Sequence, residues 1–132
     1  MEELEILINW LKRCEVLAAV PIGVDHLDKM PPAAAVYPKG LTVLWRREDV
    51  LGRWQERCRL RCLISARFAK SGDGYDAAQS WLELQKWVQM NPAPLLGEAQ
   101  VSHMEKGKLA QETGDGTVIY EAVLTVEYTK AG

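Results

Sequence analysis

The longest regular pattern in the chain is an alternation of apolar and polar positions from Trp54 to Phe68. Its even-numbered positions are apolar except Glu56, and its odd-numbered positions are polar except Leu63. Because successive side chains of a strand point to opposite faces, the pattern predicts a half-buried antiparallel strand. At about 3.3 Å per residue this strand would span about 50 Å, so we expect it to extend past the core as an arm or to bend at a bulge. Its polar face is rich in arginine and carries Arg57, Arg59, Arg61 and Arg67.

A second alternating strand is predicted from Thr117 to Thr129, with apolar residues at nearly all of its even-numbered positions. The two long strands are expected to pair, which would place Glu121 and Glu127 on the same polar face as the arginines. Opposite charges across a strand pair contribute about 0.2–1 kcal/mol each, so these pairs would assist the register without determining the fold. The arginines outnumber the glutamates, and the surplus positive charge is available to a partner.

Two further segments place apolar residues at helical spacing. The first runs from Glu2 to about Val16 and is bounded by Pro21, because the residue before a proline is disfavoured in a helix. The second runs from Asp76 to about Met90, and Asp76 with Gln79 three residues later resembles a capping box. The predicted inward residues of the second helix are Ala77, Trp81, Leu84 and Val88.

Shorter runs complete the predicted sheet. Leu41–Arg46 predicts a strand because β-branched and aromatic residues are frequent in it. The prolines between Pro21 and Gly40 leave room only for loop and one short edge strand at Ala34–Tyr37. Weaker strand candidates are Glu98–Lys106 and Lys108–Glu112, and turns are predicted at Ser71–Gly74 and Gly114–Gly116.

With the two weaker candidates counted as one strand, the predicted order is α-β-β-β-α-β-β, an α+β fold in which a mostly antiparallel sheet packs against two helices. The 132 residues are 48% hydrophobic and 26% charged, the composition of an ordinary globular protein. Residues 1–132 are therefore expected to form a single domain with its own core.

Charge and composition argue against several classes of partner. The formal net charge is -2, which argues against a dedicated binder of nucleic acid or of an anionic membrane. The N-terminus is acidic where a secretory signal would be basic, and no apolar run approaches the roughly 20 residues that span a bilayer. We therefore expect synthesis in a reducing cytoplasm and no membrane partner.

The residues that most often carry chemistry are placed unfavourably for it. Cys58 and Cys62 lie four residues apart on a predicted strand, about 13 Å, so they cannot hold one metal ion together. His26 and His103 are isolated in sequence, and a catalytic cysteine would need a neighbouring base. The two Gly-Asp-Gly segments lack the residues of a phosphate or calcium loop. The sequence thus predicts no catalytic residue, no metal, no cofactor and no enzymatic activity.

The arginine-rich face allows three interpretations. It is a solvated strand face whose arginine stems cover apolar surface, an intersubunit surface whose guanidinium groups engage carboxylates, or a direct contact with nucleic acid. The acidic composition disfavours the third. The chain also has five tryptophans against one phenylalanine, and tryptophan is common both in cores and in protein interfaces.

Several stretches resemble small phage tail-terminator proteins of bacterial prophages, which are often labelled minor capsid or minor tail proteins. The resemblance covers most of the chain, from about Ala34 to Lys130, and its stretches are residues 40–52, 57–68, 81–88, 105–109 and 120–130. It implies an α+β subunit and a hexameric ring that sits on the tail tube and stops its growth. It also implies a location in the virion tail after assembly in the bacterial cytoplasm, with the tail tube protein and a head-completion or neck protein as partners.

A ring interface would use different patches on each subunit. One candidate patch is the hairpin between Trp45 and Trp54, with Val50 and Leu51 at its tip; the other is the polar face with Arg57, Arg59, Arg61, Arg67, Glu121 and Glu127. Three alternative functions stay open. The chain could be another head–tail joining protein, an accessory nucleic-acid-binding module that uses Arg57, Arg59 and Arg61, or a small enzyme with a cysteine nucleophile.

Overall fold

The computed structural model describes residues 2–70, 75–91, 93, 98–105, 108–112, 114 and 116–132. Its class is the predicted one, α+β with two helices and a mostly antiparallel sheet. The elements are α1 (Glu2–Leu11), a turn of 3-10 helix (Glu15–Leu17), β1 (Ile22–Val24), β2 (Ala33–Glu48), β3 (Trp54–Ala69), α2 (Tyr75–Met90), β4 (Glu98–Met104), β5 (Lys108–Glu112) and β6 (Thr117–Ala131).

The two long alternating strands lie at the centre of the sheet. The strand order is β1-β2-β3-β6-β4, and β5 also pairs with β6. The predicted pairing of β3 with β6 is confirmed: it is antiparallel and runs from Gln55 opposite Ala131 to Ala69 opposite Thr117. On the other side of β6, β4 and β5 lie end to end, β4 opposite its C-terminal half and β5 opposite its N-terminal half.

The structure joins two predicted strands into one. Ala34–Tyr37 and Leu41–Arg46 are both parts of β2, which pairs with β3 along its whole length. The register shifts between Pro38 and Gly40 and again between Val43 and Trp45. Each shift is a β-bulge, in which an extra residue is accommodated without ending the strand, so the proline does not separate two elements.

The first part of the chain also differs from the prediction. Helix α1 ends at Leu11 rather than near Val16, and the chain turns before the 3-10 helix, although Cys14 and Leu17 are still buried. Strand β1 was not predicted, because a three-residue parallel strand has too few positions to show an alternation. It pairs with β2 only at Ala34–Val36.

Both helices pack on the face of the sheet formed by the even-numbered residues of β3 and β6. The predicted stripe of α2 is confirmed, since Ala77, Trp81, Leu84 and Val88 are all buried. Trp10 of α1 lies 5.1 Å from Trp87 of α2, measured between ring centroids, and its indole N–H donates to the carbonyl of Asn91 at 3.1 Å. The predicted turn at Ser71–Gly74 and Asp115 of the second predicted turn lie outside the described residues.

Candidate assembly interface

The helices leave one edge of the sheet uncovered. Every residue of β2 from Pro38 to Glu48 is exposed, whereas Ala33–Val36 at the other end of the same strand are buried. Within the described chain, β1 covers the outer side of β2 only at Ala34–Val36. We call Pro38–Glu48 the open edge.

The open edge is rich in exposed apolar side chains. Leu41 and Val43 lie opposite Leu60 and Cys58, which places them on the helix side of the sheet, and Val43 is 50% exposed. The residues opposite them on β3 are nevertheless buried, so at this level the helix layer covers β3 and stops short of the open edge. Trp45 lies opposite Arg57 on the other face of the sheet. The open edge therefore presents apolar groups on both of its faces.

The turn that joins β2 to β3 is held by Asp49. Its carboxylate accepts the backbone N–H groups of Leu51 at 2.9 Å and Arg53 at 3.0 Å, and it pairs with the Arg53 guanidinium at 2.7 Å. Gly52 has a φ of 80°, a left-handed conformation that glycine adopts without strain. The turn presents Val50 and Leu51 to solvent, and Val50 is fully exposed. The two predicted tip residues thus lie on an ordered turn.

The two tryptophans of the hairpin are flanked by arginine. The guanidinium carbon of Arg47 lies 4.6 Å from the ring centre of Trp45, and that of Arg46 lies 4.9 Å from the ring centre of Trp54. Arg46 also approaches Glu56 at 3.8 Å. Exposed cation–π pairs contribute about 0.5–1 kcal/mol, and they present both an aromatic plane and a positive charge to the outside. Such surfaces are frequent in protein interfaces.

The arginines of β3 differ in their surroundings. The guanidinium of Arg57 donates to the hydroxyl of Thr129 at 3.1 Å and lies 3.9 Å from the Glu127 carboxylate, and only 15% of its side chain is exposed. Arg59 lies opposite Glu127 and approaches it at 3.5 Å. Glu127 is therefore shared by two arginines, as the prediction of a common polar face requires. The Arg57 guanidinium already has partners within the chain.

Arg59 and Arg61 line a shallow cleft on this face. Its other lining residues are His103, Thr125 and Glu127, and its volume is about 440 Å³. The nearest carboxylate to Arg61 is that of Glu105 at 4.0 Å, and 48% of the Arg61 side chain is exposed. A loosely paired guanidinium at the edge of a cleft can engage a carboxylate of another molecule in a bidentate manner.

Arg67 and Glu121 lie apart from this cleft. Arg67 is opposite Ile119, and it donates to the Thr117 hydroxyl at 3.0 Å and to the Asp28 carbonyl at 3.1 Å. Glu121 is opposite the buried Ser65. The candidate residues on the polar face therefore form two groups rather than one continuous patch.

The three cysteines are buried among apolar groups. Burial raises the pKa of Cys62 to about 11, and it also raises the pKa values of Cys14 and Cys58. Thiols with raised pKa values remain protonated near neutral pH and are poor nucleophiles. Among the described residues, no three His, Cys, Asp or Glu side chains lie close enough together to hold a metal ion.

Neither the known protein-family models nor the curated proteins give a match to this chain. No helix in the part of the chain that the structure describes is both long and apolar enough to cross a bilayer. The structural support for the candidate site therefore comes from its geometry alone.

Sequence patterns missed part of this surface. Leu41, Val43 and Leu44 were assigned to a strand but not to an interface, and His103 was treated only as an isolated histidine. One signal was present, because Leu41–Trp45 is apolar at four of its five positions and does not alternate. A strand of that kind is typical of an element that is covered on both faces.

Proposed function

We propose that the chain is a structural assembly protein of a tailed phage or prophage particle, a tail-terminator subunit. In this role it forms a ring with copies of itself on the tail tube, ends the growth of the tube and joins the tail to the head. Its partners are its own copies, the tail tube protein and a head-completion or neck protein. A hexameric ring is the expected form, and the virion tail is the expected location.

The observation that supports this proposal best is the apolar open edge next to an ordered turn. Leu41, Val43 and Trp45 are exposed although they belong to a strand that pairs with β3 along its whole length, and Asp49 fixes the turn that carries Val50 and Leu51. Contiguous exposed apolar groups on a rigid element are typical of protein–protein contact sites. The sequence resemblance described above adds the specific role of tail terminator.

The role is tested by the growth of tail tubes. Purified tail tube protein from the same genome is polymerised with and without this chain, and tube lengths are measured by electron microscopy. We expect shorter tubes with a ring of sixfold symmetry at one end. Tubes of unchanged length without terminal density would contradict the tail-terminator proposal. Tubes of unchanged length with rings bound to head-completion protein would instead favour another head–tail joining role.

The cleft between Arg59 and Arg61 is the observation that favours the nucleic-acid alternative. It already contains the carboxylate of Glu127, which pairs with Arg59 and lowers the positive charge that a phosphate would meet. Retention of the protein on DNA at low salt, with a steep loss of binding as salt increases, would support this alternative. Retention that is equally weak at low and high salt would contradict it.

A further inference from the structure

The open edge is unusual for the exposed edge of a sheet. Edge strands present unpaired N–H and C=O groups, and proteins generally protect them with charged side chains, prolines or a covering element. Here Pro38 lies at one end of the open edge and charged residues lie at the other end. The stretch between them carries Leu41, Val43, Leu44 and Trp45.

Some backbone N–H and C=O groups of the open edge point away from β3, to the side where no strand of the described chain pairs with them. Ala34 and Val36 use their backbone groups to bond towards β1, since Ala34 N–H donates to Pro21 and the Val36 carbonyl accepts from Asp25. Both lie opposite even-numbered residues of β3. After the bulge, Leu41 and Val43 are the residues opposite even-numbered positions of β3. By the alternation of an antiparallel ladder, their N–H and C=O groups point away from β3.

The strand at the opposite edge of the described sheet, β4, lies at the same level. Leu41, Leu60, Val126 and Ser102 follow one another across β2, β3, β6 and β4 in register. Within the described residues, β4 pairs only with β6, so its outer side has no strand. The two unpaired edges of the sheet thus lie at matching heights on its two sides.

Strand direction and charge favour a second copy of this chain as the occupant. Because β2, β3, β6 and β4 alternate in direction, a copy added in the same orientation would place its β4 antiparallel to β2. Antiparallel pairs are the more common kind. The open edge carries Lys39, Arg46 and Arg47 against Glu48, whereas the sequence of β4 contains Glu98 and neither lysine nor arginine. The charges of the two edges are therefore complementary in sign.

We propose that the open edge of β2 pairs with the outer side of β4 in the next copy of the chain, so that the sheets of neighbouring subunits are continuous. This inference rests on the proposed ring-forming role and names its contact. A contact between two different edges is heterologous, and it closes into a ring when the rotation between subunits allows. The exposed side chains of Leu41, Val43 and Trp45 then become buried between subunits.

The contact is tested by cross-linking two single-cysteine variants. Thr42→Cys places a thiol on the open edge, and His103→Cys places one on β4, at an exposed position on the same face of the sheet. The native cysteines are buried, and wild-type protein treated with the same short bismaleimide reports any background. We expect a cross-linked dimer when the two variants are mixed, and none from either variant alone.

Two further variants serve as controls. Val50→Cys mixed with His103→Cys should give no cross-link, because Val50 lies in the turn outside the open edge. Adding Leu41→Lys and Val43→Lys to Thr42→Cys should abolish the cross-link, since lysine disfavours edge pairing. Circular dichroism and thermal unfolding show whether each variant is folded.

Three other outcomes would overturn the proposal, and a fourth would separate it from the tail-terminator role. A cross-link in Thr42→Cys alone means that two open edges pair around a twofold axis. A cross-link from Thr42→Cys only to added tail tube protein, through a cysteine of that protein, means that another protein occupies the edge. No cross-link at the highest soluble concentration means that the edges do not pair, even where microscopy shows rings. A cross-link together with unchanged tube lengths retains the edge pairing and contradicts the tail-terminator role.

Discussion

The two halves of β2 are both mainly apolar, but their environments are opposite. Ala33–Val36 are buried, and Leu41–Trp45 are exposed on the same continuous strand. The difference comes from the neighbours, because the helices and β1 reach only the first half. Apolar content therefore predicts that a strand will be covered, and the tertiary structure decides whether this chain or another molecule covers it.

The largest expected difference in stability is between lysine substitutions of two valines on β2, one in each half. Val36 is 0% exposed and Val43 is 50% exposed, and both lie on the helix side of the sheet. We expect Val36→Lys to lower the free energy of unfolding by more than about 4 kcal/mol, because it buries an unpaired charge. Val43→Lys should change it by less than about 1 kcal/mol. Urea unfolding of both variants measures the two values, and similar losses would contradict the division of β2.

The second largest effect is an expected loss of stability at alkaline pH, caused by ionisable groups in the buried core. Tyr128 is fully buried, and burial raises its pKa from 10.0 to about 12. Because the folded pKa is the higher one, its contribution to stability is complete below pH 10 and is lost as pH rises towards 12. Two pKa units correspond to about 2–3 kcal/mol. Cys62 adds a similar loss that begins near pH 9 and ends near pH 11.

The variant Tyr128→Phe separates these contributions. Its stability near pH 7 should lie within about 1 kcal/mol of wild type, because the Tyr128 hydroxyl is buried without a hydrogen-bond partner among the described groups. Between pH 10 and 12 the variant should lose about 2 kcal/mol less than wild type. Parallel pH profiles for the two proteins would show that Tyr128 does not titrate in this range.

Two arginines of the polar face should also differ in their contributions to stability, but by less. Arg57→Ala should cost about 1–2 kcal/mol of stability, because Arg57 is largely buried and bonded to Thr129. Arg61→Ala should cost less than about 0.5 kcal/mol, because its pair with Glu105 is long and solvated. Thermal unfolding measures both. If Arg61→Ala were the more destabilising change, the assignment of Arg61 as the arginine available for contacts would be wrong.

In the turn of the hairpin, the expected effect of a substitution is mainly local. Asp49→Ala removes the acceptor of the Leu51 and Arg53 amides, so these amides should exchange with solvent faster by about tenfold. The free energy of global unfolding should change by less than about 1 kcal/mol, because the turn lies outside the core. Hydrogen exchange measures the local effect, with the Ile64 amide as an internal reference. Equal acceleration at Ile64 would indicate that the turn stabilises the whole fold.

The strands with a sustained alternation were predictable from the sequence. The pattern of β3 identified which side faces the helices, and the pattern of β6 identified its partner face, since a period of two leaves no ambiguity over many residues. Strand β1 was not predictable, because its three residues and the nearby prolines carry no periodic signal. Pro38 suggested a break in β2 that the structure replaces with a bulge.

The candidate site was predictable only in part. Val50 and Leu51 follow charged residues in a predicted turn, so their exposure could be inferred from the sequence. Arg57 and Arg61 are equivalent in the pattern, and only the register places Thr129 opposite Arg57. The exposure of Leu41 depends on where the helix layer ends, which is a property of packing and not of the local sequence.

The two bulges of β2 also affect what the open edge can join. A bulge increases the local right-handed twist and bends its strand, and these two bulges lie within or beside the exposed stretch. Flat edges stack readily into amyloid-like fibrils, whereas a twisted and bent edge accepts only a partner of matching curvature. The interruptions at Lys39 and Leu44 would therefore let an apolar edge remain soluble in the free subunit and would penalise uncontrolled polymerisation.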